Sequence, residues 1–351
     1  MKKILTVSIF VLIIVSITIL FFVRRTDNIE EKTSKIIEKP LEKYNFENLR
    51  NTKFNGNPIA LGETIKDEDL YTSQMFYFSV WDFGKKQNKK VSGLLNIPKE
   101  DGSYPVIVML RGFVPKDIYE TGVGTKRMGE FLISNNFITL APDFLGYGQS
   151  DLPSKDAMEE RFETYTTLLS LLSSLGNLNN ALIASYSGRI QADITRVGLW
   201  GHSNGGQIAL SILEITGRSY PTVLWAPVSK PFPYSILYYT DEFEDHGKAL
   251  RRVVANFENT YDVELYSPTN FYSWINAPLQ IHQGDNDDAV PKKWSDQLVE
   301  DLEELEKDVE YFVYPNSDHN LMPASPSQGG PDGWAIAVEK SLNFYRESFS
   351  K

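Results

Sequence analysis

A chain of 351 residues with a formal net charge of −11 at pH 7 has room for one large α/β domain and a tail, or for two small domains. Its globular part carries no basic block, which argues against nucleic acid as a partner. It contains no cysteine, so disulfides, thiolate catalysis and cysteine-ligated metals are excluded.

The N-terminus carries an address. Lys2 and Lys3 precede an uncharged run, Ile4–Val23, which Arg24 and Arg25 close. About twenty such residues span roughly 30 Å as a helix, enough for a bilayer core. A cleaved leader has a shorter apolar core and a small-residue cleavage site, and Phe21-Phe22-Val23 offers none. Residues 1–25 are therefore expected to form an uncleaved signal anchor, a single transmembrane helix. Lys2 and Lys3 favour a cytoplasmic N-terminus and an extracytoplasmic domain, and Arg24 and Arg25 oppose it. Residues 26–54, rich in Lys and Glu and interrupted by Pro40, read as a solvated stalk. That leaves 55–351 as the folded domain.

The pattern turns strand-like at Asn57. Tyr71–Trp81 and Val91–Pro98 are expected as strands, with Gly84–Lys90 as the hairpin between them. Pro105–Leu110 is a continuous apolar run, as expected of a buried parallel strand. Then Met128–Asn136 reads as helix, Phe137–Pro142 as strand and Ala157–Leu175 as helix, with another helix within Asn177–Gln191. Strands follow at Ile194–Trp200, Thr222–Pro227, Pro278–His282 and Val309–Tyr314, and helices at Gln207–Glu214, Lys293–Leu305 and Trp334–Phe349. Strands alternating with helices after an antiparallel opening predict one α/β domain with a mostly parallel sheet and helices on both faces.

Between one such strand and helix lies Gly201-His202-Ser203-Asn204-Gly205-Gly206. The pentapeptide G-x-S-x-G is common by itself. Placed between strand and helix it is the context of a nucleophile elbow, in which glycines clear the space around a strained serine. The helix N-terminus then points unpaired N–H groups at charge developing beside Ser203.

A nucleophilic serine needs a base, and the base needs a carboxylate to orient it. There are four histidines. His202 sits inside the elbow, His246 in the acidic stretch Asp241–Asp245, and His282 at the end of a buried strand. His319 alone follows every strand and lies in a loop, where this fold delivers its general base. The acid should follow the strand ending at His282, in the loop Gly284-Asp285-Asn286-Asp287-Asp288. Asp285 follows Gly284 too closely and reads as a turn cap. Asp287 and Asp288 both fit by position. For the oxyanion hole, one donor is the N–H of Asn204 and the other comes from Arg111-Gly112-Phe113. The N–H of Phe113 is the expected second donor, with the Arg111 side chain as an alternative. Arg111 can equally be a surface ion pair.

These segments together resemble the catalytic domain of the prolyl oligopeptidase family. Val91–Pro98 resembles its entry strand and Asp143-Phe144-Leu145-Gly146-Tyr147-Gly148-Gln149-Ser150 its D-x-x-G-x-G-x-S turn. Gly201–Gly206 matches its G-x-S-x-G-G elbow, and Tyr266–Pro268 through Gly284 is similar to its run into the acid loop. Tyr314–His319 is similar to its histidine loop. The resemblance covers roughly residues 70 to 349. It implies an α/β-hydrolase fold and a Ser203–Asp287–His319 triad, and by its D-D-x-V pair it selects Asp287 over Asp288. Arg111-Gly112-Phe113 departs from the family's usual oxyanion segment, and the interval before the hydrolase pattern leaves no room for the β-propeller that gates substrate size in the large peptidases.

The function expected is a membrane-anchored serine hydrolase cleaving small peptides or amides through an acyl-enzyme, with no metal or organic cofactor. A carboxylesterase uses the same triad, and a silent hydrolase fold serving as a tethered binding module is the reading of another class. Tyr234, Tyr238, Tyr239 and Phe243 beside the acidic stretch either line the mouth and favour a cationic substrate, or form an amphipathic surface helix with a solvated acidic end. Ala324–Pro331 reads as a loop near the site.

Overall fold

Apolar side chains that alternate along each strand place two separate cores on the two faces of one sheet. Along Pro105–Leu110 the residues Val106, Val108 and Leu110 enter one core while Ile107 and Met109 enter the other. The computed structural model describes residues 38–82, 87–323 and 332–351. The run Ile4–Val23, residues 26–37 of the expected stalk and the loop 324–331 lie outside the described residues. Among those described, no helix is long and apolar enough to cross a membrane.

The strands are β1 Ala60–Asp67, β2 Tyr71–Asp82, β3 Gln87–Pro98, β4 Gly102–Leu110, β5 Ile138–Pro142, β6 Ile190–His202, β7 Thr222–Trp225, β8 Leu279–Gly284 and β9 Val309–Tyr314. They lie in the order β1-β2-β3-β5-β4-β6-β7-β8-β9. The first three pairings are antiparallel and the rest parallel. The helices are α1 Phe46–Asn51, α2 Lys126–Ile133, α3 Ala157–Ser174, α4 Leu178–Tyr186, α5 Asn204–Thr216, the single turn α6 Tyr234–Leu237, α7 Lys248–Glu258, α8 Lys292–Glu304 and α9 Gly333–Ser350. One face is covered by α2 and α9 through Met128, Leu132, Val338 and Tyr345. The other is covered by α3, α5 and their neighbours through Phe162, Leu168, Ile208 and Leu213. This is the α/β-hydrolase fold. Register sets the site: Leu110 pairs with Gly201, His202 with Trp225, Trp225 with His282 and Gly284 with Tyr314. The carboxyl ends of β4, β6, β8 and β9 therefore share one edge, where ligands bind in open α/β sheets.

Residues 41–54 depart from the expected stalk. Leu41–Lys351 form one compact unit, and Leu41, Tyr44, Phe46 and Leu49 are buried in its larger core. The Phe46 ring stacks on Phe271 at 5.1 Å and meets Tyr165 edge-on at 5.7 Å. Asn45 caps α1 by accepting from the Asn48 N–H at 2.7 Å. Four apolar residues among charges are enough to anchor this segment, because the charges face outward and the apolar groups share one side. The strand β1 is a second element not predicted individually. It is a polar edge strand whose residues are half-buried or exposed, so it lacks the apolar run that marked its neighbours.

Candidate active site

The turn from β6 into α5 holds Ser203 at φ 57° and ψ −121°, a left-handed conformation that strains a non-glycine residue. The backbone around it leaves little room. A Cβ on Gly205 would strike the Leu110 carbonyl, and one on Gly112 would lie 3.0 Å from the Ser203 Cβ. Those two glycines let the β4 loop pass directly over the elbow. Asn204 opens α5, where the first N–H groups have no acceptor within the helix. The elbow is pinned by the Ser203 N–H, which donates to the Trp225 carbonyl at 2.9 Å.

The loops after β8 and β9 bring the other two candidates together. His319 Nδ1 lies 2.8 Å from Asp287 Oδ2. That carboxylate oxygen also accepts from the Gln283 side-chain amide at 3.0 Å, while Oδ1 accepts the Ala289 and Val290 N–H groups at 2.9 and 2.8 Å. Burial works to raise the Asp287 pKa, but the His319 hydrogen bond and charge, with the Val290 and Gln283 donors, outweigh it and hold the carboxyl below its ordinary value. Asp288 is exposed, and Asp285 accepts the Asn316 N–H at 2.6 Å, tying the two loops to each other. Of the two aspartates that fit by position, the structure brings Asp287 and not Asp288 onto His319. Asp287 can only accept, so Nδ1 carries the proton and Nε2 of His319 is the basic nitrogen.

The remaining histidines are accounted for. His282 is buried, 2.7 Å from the Tyr314 hydroxyl and 2.8 Å from Gln280 Oε1. His246 is exposed, 3.1 Å from the Asp241 carbonyl. His202 does more than its sequence position suggested. Its Nε2 donates to the His319 backbone carbonyl at 2.9 Å, and the two rings lie 4.6 Å apart. It couples the elbow to the histidine loop, while Gln283 at the end of β8 holds the acid loop through Asp287 Oδ2 and the Val290 carbonyl. Neither has a sequence signal: the His202 partner is 117 positions away, and the Gln283 contacts depend on how the acid loop folds back over β8.

Arg111 is buried, not a surface ion pair. Its Nη1 and Nη2 donate to the Gly112 and Asp143 carbonyls at 2.9 and 3.2 Å, and the guanidinium lies 4.0 Å from the Tyr147 ring centroid and 4.6 Å from that of Tyr119. It holds the loop that carries the Phe113 N–H. Asp143 is buried beside it, accepting from Ser92, Thr121 and Tyr119 hydroxyls at 2.6, 2.9 and 2.7 Å. The D-x-x-G-x-G-x-S turn is thus a hydrogen-bonded clamp on the β4 loop. The acidic stretch is also structural: Asp241 pairs with Arg251 at 2.7 Å, and Asp245 accepts the Gly247 and Ala249 N–H groups at the start of α7. Tyr234, Tyr238 and Tyr239 instead gather around Trp294, 4.7 to 6.3 Å between centroids.

Residues 181–350 match the model of the prolyl oligopeptidase family. A protein named as an uncharacterized peptidase, YtmA of Bacillus subtilis (strain 168), is 27% identical over 243 residues, covering 67% of this chain and 83% of its own length. The chain is a serine hydrolase, and its second half is similar to the prolyl oligopeptidase family. A chlorophyllase model matches residues 75–219 of the hydrolase. Dipeptidyl peptidase family member 6 of Caenorhabditis elegans is 28% identical over 138 residues, 37% of this chain but 18% of that longer protein. Among solved structures, the acetyl xylan esterase of Paenibacillus sp. R4 superposes on the hydrolase with a TM-score of 0.55 at 15% identity, covering 86% of this chain and 92% of its own. Acetyl xylan esterase 1 of Thermoanaerobacterium sp. JW/SL YS485 gives 0.52 at 15%, covering 88% and 94%. At that identity these likenesses concern the fold.

Proposed function

We propose that the hydrolase cleaves small peptide or amide substrates through a Ser203–His319–Asp287 triad and an acyl-enzyme. The observation that carries this is the buried, fully hydrogen-bonded Asp287 on His319 Nδ1, in a loop that His202 ties to the elbow where Ser203 is held at positive φ. Ser203 Oγ attacks the carbonyl carbon and its proton passes to His319 Nε2. Asp287 fixes the tautomer and stabilises the imidazolium, which then protonates the leaving group. The N–H groups of Asn204 and Phe113 receive the oxyanion, each donor contributing about 3 kcal/mol to lowering the barrier. Water, deprotonated by the same base, releases the acid. No step calls for a metal or organic cofactor.

A carboxylesterase is the second reading, favoured by the chlorophyllase match over residues 75–219. Comparing p-nitrophenyl esters with aminoacyl and dipeptidyl anilides separates the two. A peptidase turns over the anilides, and turnover of esters alone assigns the esterase. In either case Asp287→Asn should lower kcat by about 10⁴-fold, as loss of the correct tautomer does in a serine triad. Undiminished turnover would remove Asp287 from the mechanism.

The proposal also places the enzyme at a membrane through the apolar run Ile4–Val23, with the catalytic domain on the extracytoplasmic side. Retention in the membrane fraction after carbonate washing, with the domain accessible to external protease, is the expected result. Release by carbonate would contradict it.

A further inference from the structure

The proposed mechanism leaves one charged group without a task. A cavity of about 340 Å³ opens beside the elbow, with Asn204 and Phe113 in its wall and Phe232, Ile236 and Leu250 among its apolar lining. The helix α3 contributes Glu160, Arg161 and Glu163 to the same wall. Both carboxylates are already matched. Glu160 pairs with Lys116 at 2.8 Å, and Glu163 pairs with Lys89 at 2.6 Å and accepts the Ser154 N–H at 2.7 Å. The half-buried Arg161 guanidinium has neither an ion-pair nor a hydrogen-bond partner among the described residues. Desolvation pulls its pKa down, against the weaker pull of Tyr165 and Glu160. Of the other two cations in the wall, Lys116 is taken by Glu160, and Arg111 is bonded to carbonyls and stacked on tyrosines with no ion pair among the described residues. The charges lining the cavity are therefore net positive, and a half-buried guanidinium without a partner is a ready donor to an incoming anion.

Chemistry decides which part of the substrate enters. The imidazolium protonates the leaving group, so the leaving group lies towards His319. The described lining of the cavity takes nothing from the Asp287 or His319 loops and shares Asn204 and Phe113 with the oxyanion side. It faces the acyl part. We propose that Arg161 reads a carboxylate at the far end of the acyl group, so that the enzyme acts on carboxylate-ended acyl donors. These are half esters or half amides of dicarboxylic acids, or peptide bonds that follow an acidic residue. The inference rests on Ser203 being the acyl acceptor.

The test compares p-nitrophenyl half esters of succinate, glutarate and adipate with p-nitrophenyl butyrate, and a peptidyl-Glu anilide with its Gln counterpart. The wild type should prefer the anionic member of a pair by roughly tenfold or more in kcat/KM, the ordinary strength of a hydrogen bond to a charged group. Preference among the half esters alone assigns dicarboxylic donors, and preference for the Glu anilide assigns peptides. Arg161→Gln should abolish the preference through KM, and Arg161→Lys should keep part of it. Arg189→Gln, at an exposed ion pair far along the chain, should leave it unchanged. A preference that survives Arg161→Gln, or no preference in the wild type, would overturn the proposal. Should no substrate be hydrolysed, the acyl-enzyme reading fails instead, and calorimetric titration of glutarate into Ser203→Ala decides separately. Binding that disappears in the Ser203→Ala/Arg161→Gln double variant upholds the anion site, and absent or unaltered binding refutes it.

Discussion

His202 is where the elbow and the histidine loop meet, and its protonation is part of that joint. Burial, and then the nearby His319, hold its pKa down to about 4. Burial and Lys340 do the same to His282, to about 3. A histidine whose folded pKa lies below its unfolded value of about 6.5 leaves the folded state binding fewer protons, so its contribution is fully present above that pH. It is lost as pH falls towards the folded values. Melting temperature should therefore drop on acidification from pH 6.5 to 4, and His202→Gln should flatten that drop. An equal slope in the variant would show that the proton uptake lies elsewhere. The four-histidine inventory allowed His319 to be singled out from the sequence by elimination. His202 was not legible as a coupling residue, because its partner is a backbone carbonyl 117 positions away. By position Asp287 and Asp288 stand level, and from the sequence only the family resemblance selects Asp287; in the structure it is Asp287 that is buried and reaches His319.

Helix α5 carries the nucleophile at one end and a puzzle at the other. Glu214 is fully buried, neither carboxylate oxygen has a hydrogen-bond partner among the described residues, and burial raises its pKa well above the ordinary value. A carboxyl protonated in the fold and ionised when unfolded makes stability fall as pH rises above about 4.5. Glu214→Gln should raise the melting temperature more at pH 8 than at pH 5, the gain growing by up to about 1.4 kcal/mol per pH unit until the folded pKa is reached. A gain independent of pH would mean that the carboxyl is not neutral in the fold. At the other edge of the core, Phe46→Ala on α1 should cost about 3 to 5 kcal/mol, read as a lower denaturation midpoint. A loss below about 0.5 kcal/mol would restore residues 41–54 to the stalk. The central strands were legible because parallel strands buried on both faces read as apolar runs, as Pro105–Leu110 does. The edge strand β1 and the short helix α1 were not, since their apolar positions are sparse and acquire meaning only against Phe271 and Tyr165.

At the scale of the whole molecule, the sheet's register brings four loops to one edge, and each contributes one part: the Phe113 N–H, Ser203, Asp287 and His319. Order in the chain made this arrangement readable, because strand, elbow, acid and histidine follow one another as the hydrolase fold requires. The cavity was not readable, since α3 reaches it only through tertiary packing. It reads as a wall of matched carboxylates with an unmatched arginine, opposite to the cationic selectivity suggested by the stretch Asp241–Asp245. The measurement that tests the account most directly is labelling of the full chain with a fluorophosphonate, with Ser203→Ala as control. The account predicts stoichiometric labelling of the wild type and none of the variant. Equal labelling of both, or none of a folded wild type, would contradict an activated Ser203 and leave the fold to serve as a binding module.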